Sequence, residues 1–275
     1  MSNPPPLSQT DMPCYKTPPP DQATACDYPL ANATLCRQSR ARRPRHGKEG
    51  PQLEETQVLV LFAADLHGRH ETYRWLGDQV KSRRPDLVVL AGDLLCSRAG
   101  YPTREAAQRA DGDAVLLHII GWKTSTLYLM GNWDRIALPE RPPGVRSLHG
   151  RRIEWQGFNL VGYQVTPPFT GGPFEKPEET IAEELDALAP LLDENTLLVT
   201  HGPARGILDV THTGAHVGSV ALRGLVDRRP FRVHVHGHIH ECFGRDGRHF
   251  NVAAGRVMRA LLLNAATLEG EVLSA

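Results

Sequence analysis

Five short apolar runs in this chain each end in side chains able to bind a metal ion. They end in Asp65-Leu66-His67, Gly92-Asp93, Gly131-Asn132, Thr200-His201-Gly202 and Gly237-His238-Ile239-His240. Carboxylates, imidazoles and an amide form a mixed oxygen and nitrogen donor set. Such a set suits Mn, Fe, Zn, Ni or Co rather than thiolate-bound zinc. Asp65, His67, Asp93, Asn132, His201, His238 and His240 are seven candidate ligands, too many for a single ion of ordinary coordination. Two cations sharing a carboxylate account for all of them, and Asp93, in the middle of the set, is the expected bridge. A pair of cations about 3.5–4 Å apart polarises a phosphoryl group and generates a hydroxide at neutral pH.

A donor set spread over so much chain needs elements that bring its parts together. From Gln57 onward, β-branched and Leu-rich runs alternate with longer charged segments. "VLVLFAAD", "DLVVLAGD", "TLYLMGN", "FNLVGYQ", "TLLVTH" and "FRVHVHGH" read as strands. "ETYRWLGDQVKSRR", stopped by Pro85, reads as a helix, as do the stretch from about Thr103 to Trp122, "PEETIAEELDALAPLL", and the segment around "SVALRGLVDR". Strand–helix alternation of this kind predicts an α/β sheet with helices on its faces. In open sheets of that class, ligands bind beyond the carboxyl ends of the strands. The five candidate motifs stand there, four of them with a Gly that permits a sharp turn and close approach.

The chain before Gln57 is different in kind. Residues 1–54 are Pro-rich and then basic ("RQSRARRPRHGK"), without an apolar period. Such a composition cannot bury enough surface to offset its ordering entropy, so a disordered tail is expected there. A basic arm touching nucleic acid or a partner is the alternative. Residues 55–275 are expected to form the domain. Residues 1–48 hold seven Lys/Arg against three Asp, which leaves 24 basic and 28 acidic side chains in the remainder. A slightly acidic folded part does not fit a dedicated nucleic-acid binder. No run of about 18 apolar residues suggests a membrane span, and no apolar signal core opens the chain. The five cysteines are odd in number and scattered, without a CxxC, which argues against a disulfide framework or a zinc ribbon. A cytoplasmic protein with no membrane partner is expected.

The order DxH, GD, GN, a lone His, then GHxH resembles the calcineurin-like metallophosphoesterases over about residues 57–255. Within that family "THGPARGILD", "HVGSVALRGLV" and "HVHGHIHECFGRDGRHFNVAA" look like the class III, MPPED-like branch. The resemblance implies a four-layered α/β sandwich, two mixed β-sheets flanked by helices. It implies that Asp65, His67, Asp93 and His240 hold a first metal, and that Asp93, Asn132, His201 and His238 hold a second.

One residue departs from the family pattern. Its third motif reads GNH followed by Asp or Glu, with the His near the leaving group as proton donor or phosphate-orienting group and the acid fixing the ring. This chain has Gly131-Asn132-Trp133-Asp134. An indole N–H donates a hydrogen bond but no proton at useful pH. Loss of a general acid typically removes about 10²–10⁴-fold in rate. His70, His212 and His216 are candidates to resupply the acid, and Trp133 could instead stack on an aryl or nucleobase group. Arg69, Arg135 and Arg205 stand beside ligands and could grip phosphate oxygens. Asp93, Asn132, Asp134, His70 and Arg135 are therefore the catalytic candidates. The loop "TPPFTGGPFEKP", residues 166–177, holds Phe169 and Phe174 and could form a substrate-selecting rim. His234 and His236 alternate onto one strand face, where core packing or hydrogen bonding behind the ligands is expected. His118 is expected to be a packed structural histidine, and His149 and His249 carry no assignment.

The expected activity is hydrolysis of a phosphodiester, or of an activated phosphomonoester, by metal–hydroxide attack. Two divalent metal ions, Mn first among the candidates, would serve a small phosphoester substrate, with a nucleotide among the possibilities and nucleic acid not expected. The alternative is a metal-binding scaffold, or a pseudoenzyme that binds a phosphate ligand with little or no turnover.

Overall fold

The computed structural model describes residues 57–96 and 99–275. The tail expected over residues 1–54 therefore lies outside the described residues. In chain order the elements are β1 (Leu59–Ala63), α1 (His70–Arg83), β2 (Leu87–Ala91), α2 (Arg104–Gly121), β3 (Thr126–Leu129) and β4 (Val145–Ser147). There follow β5 (Arg152–Trp155), β6 (Phe158–Tyr163), α3 (Glu178–Leu188), β7 (Thr196–Thr200), α4 (Val220–Arg228) and β8 (Val233–His236). The chain ends with β9 (Gly244–Asp246), β10 (His249–Asn251), β11 (Arg259–Asn264) and β12 (Gly270–Ser274).

Among the described residues these strands form two six-stranded sheets, ordered β12-β11-β1-β2-β3-β4 and β5-β6-β7-β8-β10-β9. In the first, β1 to β4 run parallel, β11 pairs antiparallel with β1, and β12 pairs antiparallel with β11 at the edge. In the second, β6, β7, β8 and β10 run parallel between the antiparallel edge strands β5 and β9. Both sheets are mixed.

The strand sequences explain the layering. Successive side chains on a strand point to opposite faces, and a strand covered on both faces reads as a continuous apolar run. Along β1, Val60 and Phe62 enter a core shared by both sheets, whereas Leu61 and Ala63 enter a second core with Leu76 of α1 and Ile119 of α2. β2 divides likewise, with Val89 in the shared core and Val88 and Leu90 toward the helices. On the far sheet, Leu197 and Val199 face inward while Leu198 packs with Ile181 and Leu185 of α3 and Leu222 and Leu225 of α4. Each fully buried Leu or Phe of this kind stabilises the fold by roughly 1.5–3 kcal/mol. Helices, sheet, sheet and helices are the four layers expected.

The helix ends follow local chemistry. The Thr103 side chain accepts from the Ala106 N–H at 3.1 Å, and Ser219 caps α4 by accepting from Leu222 at 3.0 Å. Arg84 closes α1 in the left-handed region at φ 51°, just before Pro85. α3 is shorter than the sequence suggests: it gives way after Leu188 to one 3-10 turn, Ala189–Leu191, because Pro190 has no N–H to continue the helix.

Candidate metal centre

The parallel strands β1, β2 and β3 deliver Asp65, Asp93 and Asn132 just beyond their carboxyl ends. β7 and β8 deliver His201 and His238 from the facing sheet. The loops after β1 and β2 run side by side, through Asp65 N–H to Gly92 O at 2.9 Å and His67 N–H to Asp93 O at 2.8 Å. Asp65, His67, Asp93 and His238 all have positive φ, at 59°, 48°, 53° and 71°. Left-handed backbone at non-glycine residues costs on the order of 1–3 kcal/mol each and persists only where surrounding bonds enforce it. Four of the nine non-glycine residues with positive φ among the described residues are candidate ligands. Two glycines allow the closest approaches: a Cβ at Gly131 would overlap the Asp93 carboxylate and the His201 ring, and one at Gly237 would press on Asp65 Oδ2 at 2.5 Å.

The seven expected ligands converge from both sheets. His67 Nε2 lies 3.4 Å from His240 Nε2, which lies 3.3 Å from Asp65 Oδ1. Asp93 stands between two imidazoles, with Oδ2 3.9 Å from His67 Nε2 and Oδ1 3.4 Å from His201 Nε2. His201 Nε2 is 3.0 Å from Asn132 Oδ1, and the His201 and His238 rings are 5.1 Å apart. Two links join the sheets behind the donors. His201 Nδ1 donates to Ala91 O at 2.9 Å, which turns Nε2 toward the cluster, and the His238 N–H donates to Asp65 Oδ2 at 2.9 Å.

The electrostatics are those of a buried cluster of opposite charges. Burial alone would raise Asp65, but the hydrogen bond and charge of His240, with His201 and His67, hold it well below the usual carboxylate range. Burial and the Asp65 charge push the Asp93 carboxyl well above it. Burial lowers His67 to about 4 and His238 to about 3, which leaves both imidazoles neutral, as ligands must be.

This donor set fits divalent cations. Asp65, His67 and His240 form one group, and Asp65, Asp93 and His201 another, with donor atoms in each group within 4.8 Å of one another. Donors about 2.0–2.2 Å from one ion stand roughly 3–4 Å apart. A cation beside Asp93 would also offset the repulsion from Asp65 that disfavours two buried carboxylates.

Trp133 has two roles here. Its backbone N–H donates to Asp93 Oδ1 at 2.8 Å, and its ring meets the His67 ring edge-on, 5.9 Å between centroids. The Arg104 guanidinium lies over the indole, 3.9 Å from the ring centroid. Gln108, fully buried on α2, donates from Nε2 to Trp133 O at 3.2 Å and accepts from the Arg135 N–H at 2.6 Å. Neither Arg104 nor Gln108 belongs to a recognisable motif. Their signal in the sequence is only their four-residue spacing, which puts them on one helix face.

The structure places the remaining expected residues as follows. Asp134 accepts from the Leu95, Gly131 and Leu94 N–H groups at 2.8, 2.8 and 3.2 Å, tying the Asn132 loop to the Asp93 loop. Burial, with the Asp93 charge adding, pushes its carboxyl up to about 7. Arg135 donates to the Gly171 and Thr170 carbonyls, Arg69 to Leu66 O and Asp65 O, and Arg205 to His216 O. These guanidiniums staple loops. His70 does not present a ring nitrogen to the cluster: Nε2 bonds Asp111 at 2.9 Å and Nδ1 lies 3.2 Å from His118, because the first turn of α1 packs on α2. His216 bonds Asp209, and His212 lies 3.4 Å from Glu241 with its side chain 69% exposed. His234 and His236 are buried; His234 pairs with Thr200 Oγ1 at 2.8 Å and with His249, previously without assignment, at 3.0 Å.

The 166–177 loop reaches the site. The Glu175 carboxylate accepts from the Phe169, Thr170 and Gly171 N–H groups, and Thr170 Oγ1 donates to Asn132 O at 3.0 Å. This fixes Phe169, 59% exposed, with its ring 5.1 Å from that of His238. Phe174 turns inward against the α1–α2 core.

Residues 58–242 match the model of the calcineurin-like phosphoesterase family. Metallophosphoesterase domain-containing protein 1 of Homo sapiens, and equally that of Mus musculus, is 36% identical over 116 residues, covering 38% of this chain and 35% of the relative. The chain thus spans about a third of the length of these relatives. The TT1561 structure from Thermus thermophilus superposes with TM-score 0.58 at 17% identity, over 80% of this chain and 99% of that one. A dimetal phosphatase from Danio rerio superposes with TM-score 0.51 at 12% identity, over 79% and 99%. At these identities the structural likeness is one of fold. Among the described residues, no helix is long and apolar enough to cross a membrane.

Proposed function

We propose, since the chain belongs to the calcineurin-like phosphoesterase family, that it hydrolyses a small phosphodiester or an activated phosphomonoester at the cluster between the two sheets. Family membership and the two donor groups support a metal-dependent phosphoesterase in general. The observation that carries the finer reading is the convergence of donors from both sheets with Asp93 between His67 and His201. In this reading Asp65, His67, Asp93 and His240 hold one cation, and Asp93, Asn132, His201 and His238 hold the other. Asp65 also belongs to both compact donor groups and, like Asp93, accepts a backbone N–H, but its Oδ1 faces His240 on the His67 side. Asp93, with an oxygen toward each side, is the better bridge.

Manganese suits such an imidazole and carboxylate set. When bound, the cations polarise the phosphoryl group and activate water as the nucleophile. The chain's own residues set the rest. Asp134 and Arg135 position the Asn132 loop, and His70 has no part in this reading. Trp133 stands beside His67 without a proton to give, so the departing oxygen leaves with its own charge. That favours esters whose leaving groups have low pKa. Phe169, exposed beside His238, suits an aryl or nucleobase portion of the substrate, a nucleotide included. A cytoplasmic setting belongs to this reading, resting on scattered cysteines without a framework spacing.

The test is metal analysis joined to a Mn²⁺-supplemented assay on bis-p-nitrophenyl phosphate beside p-nitrophenyl phosphate. Two metals per chain and faster turnover of the diester are expected. Two metals without turnover of either ester would replace this reading with the scaffold.

A further inference from the structure

We propose that Arg104 is the phosphate-binding cation of this site, held in place by the indole of Trp133. The proposal rests on the phosphoesterase reading above and deepens it by naming the group that meets the substrate's charge.

A guanidinium carbon 3.9 Å from an indole centroid is in cation–π contact, and Trp is the strongest partner for it. The same indole meets the ring of His67, a candidate ligand, at its edge. His67, Trp133 and Arg104 thus form a row leading outward from the donor cluster. The row is held from behind. Asp93 fixes the Trp133 N–H, and Gln108 fixes its carbonyl from one turn further along the helix that carries Arg104.

The other arginines at the site have partners. Arg69, Arg135 and Arg205 bond backbone carbonyls, and Arg259 bonds Ala253 O and His240 O. Arg104 differs: its Nη1 is buried with no hydrogen-bond partner among the described residues. A buried donor without an acceptor is costly. The other Arg104 donors likewise make no hydrogen bond or ion pair among the described residues and lie on a half-buried side chain. The planar guanidinium can bond two phosphoryl oxygens at once. Trp133, on which the guanidinium stacks, bonds Asp93, and Gln108 on the same helix bonds Trp133, which places Arg104 beside the site.

The chemistry agrees with the substitution at position 133. A guanidinium neutralises phosphoryl charge but stays protonated, so it gives no proton to the leaving group. Arg104 also covers one face of the indole. Trp133 is then a platform for the arginine, and an aromatic part of the substrate goes to Phe169 instead.

The experiment titrates inorganic phosphate into Mn-loaded protein by calorimetry, with metal content measured on each sample. Wild type is compared with Arg104→Ala, Arg104→Met and Arg109→Ala, the last removing an exposed charge further along the same helix. Arg104→Met keeps apolar packing on the indole, so it decides if Arg104→Ala loses metal or fails to fold. Loss of charged hydrogen bonds is expected to weaken phosphate binding about 10- to 100-fold in both Arg104 variants. Metal content and the Arg109→Ala affinity are expected to match wild type. Phosphate bound equally by wild type and a metal-replete Arg104 variant would overturn the proposal while leaving the phosphoesterase reading intact. Wild type that binds two metals but neither phosphate nor ester would overturn both.

Discussion

The backbone N–H of Trp133 donates to Asp93 Oδ1 at 2.8 Å. Position 133 therefore orients the central carboxylate through its main chain, whatever side chain it carries. The candidate ligands can keep this arrangement while the side chain at position 133 changes.

This separation sets the outcome of restoring the family residue. Trp133→His should retain metal and raise turnover of alkyl esters by about 10- to 100-fold, a part of what general acid catalysis supplies. Nitrophenyl esters should change much less, because their departure needs no proton. His is smaller than Trp, so the melting temperature is compared first to detect a destabilising void. Equal gains or losses on both ester classes would assign Trp133 to binding alone.

Asp93 borders both imidazole groups, so its loss should reach both cations. Asp93→Asn is expected to bind well under two metals per chain and to lose more activity than Asn132→Ala. Elemental analysis after Mn loading checks this. Retention of two metals by Asp93→Asn would move the bridge to Asp65.

Gln108 bonds the Trp133 carbonyl and the Arg135 N–H from a fully buried position. Gln108→Ala orphans both and should cost about 1–3 kcal/mol for each group left unsatisfied. Urea denaturation of the metal-free protein reads the loss. A change below about 0.5 kcal/mol, the scale of an ordinary surface substitution, would show that the loop is held elsewhere.

Phe169 is exposed and fixed by the Glu175 turn. Phe169→Ala should raise KM for aryl or nucleotide esters by about 10-fold or more, the scale of one lost stacking contact. kcat, and KM for small alkyl esters, should be largely unaffected. An equal rise in KM for every ester would mean that Phe169 shapes the loop rather than contacts the substrate.

Burial lowers His234 well below its ordinary 6.5, with the charges of His236 and His249 adding. The folded state therefore holds it neutral where the unfolded chain takes up a proton. Its contribution to stability is complete above about pH 6.5 and is lost progressively as pH falls toward the folded value. While only the unfolded chain binds that proton, the slope is about 1.4 kcal/mol per pH unit. Urea midpoints of the metal-free protein should fall from pH 7 to pH 5, and less steeply in His234→Gln. Parallel slopes in the two proteins would rule out His234 as a source of the acid sensitivity.

The sequence by itself determined the strand–helix alternation and where the candidate ligands stand along it; the two-sheet layering came from the family resemblance. Alternation and candidates depend on local pattern: continuous apolar runs that read as strands covered on both faces, and a metal-binding side chain at each of five run ends, four of them with a glycine. Leu59–Ala63 and Leu87–Ala91 are strands on such grounds, and Asp65 and Asp93 follow from where they stop. The short strands β4, β9 and β10, three residues each, carry too little period to stand out. Their pairing is decided by neighbours contributed from elsewhere in the chain. Side-chain direction was likewise beyond the local pattern. His70, Arg135 and Arg205 lie near ligands in sequence, yet helix rotation and loop carbonyls turn them to other partners. Arg104, 28 residues before Asn132, comes to the site only because α2 packs beside the β3 loop. Sequence proximity fixes what a residue can be; the rotation and docking of whole elements decide what it touches.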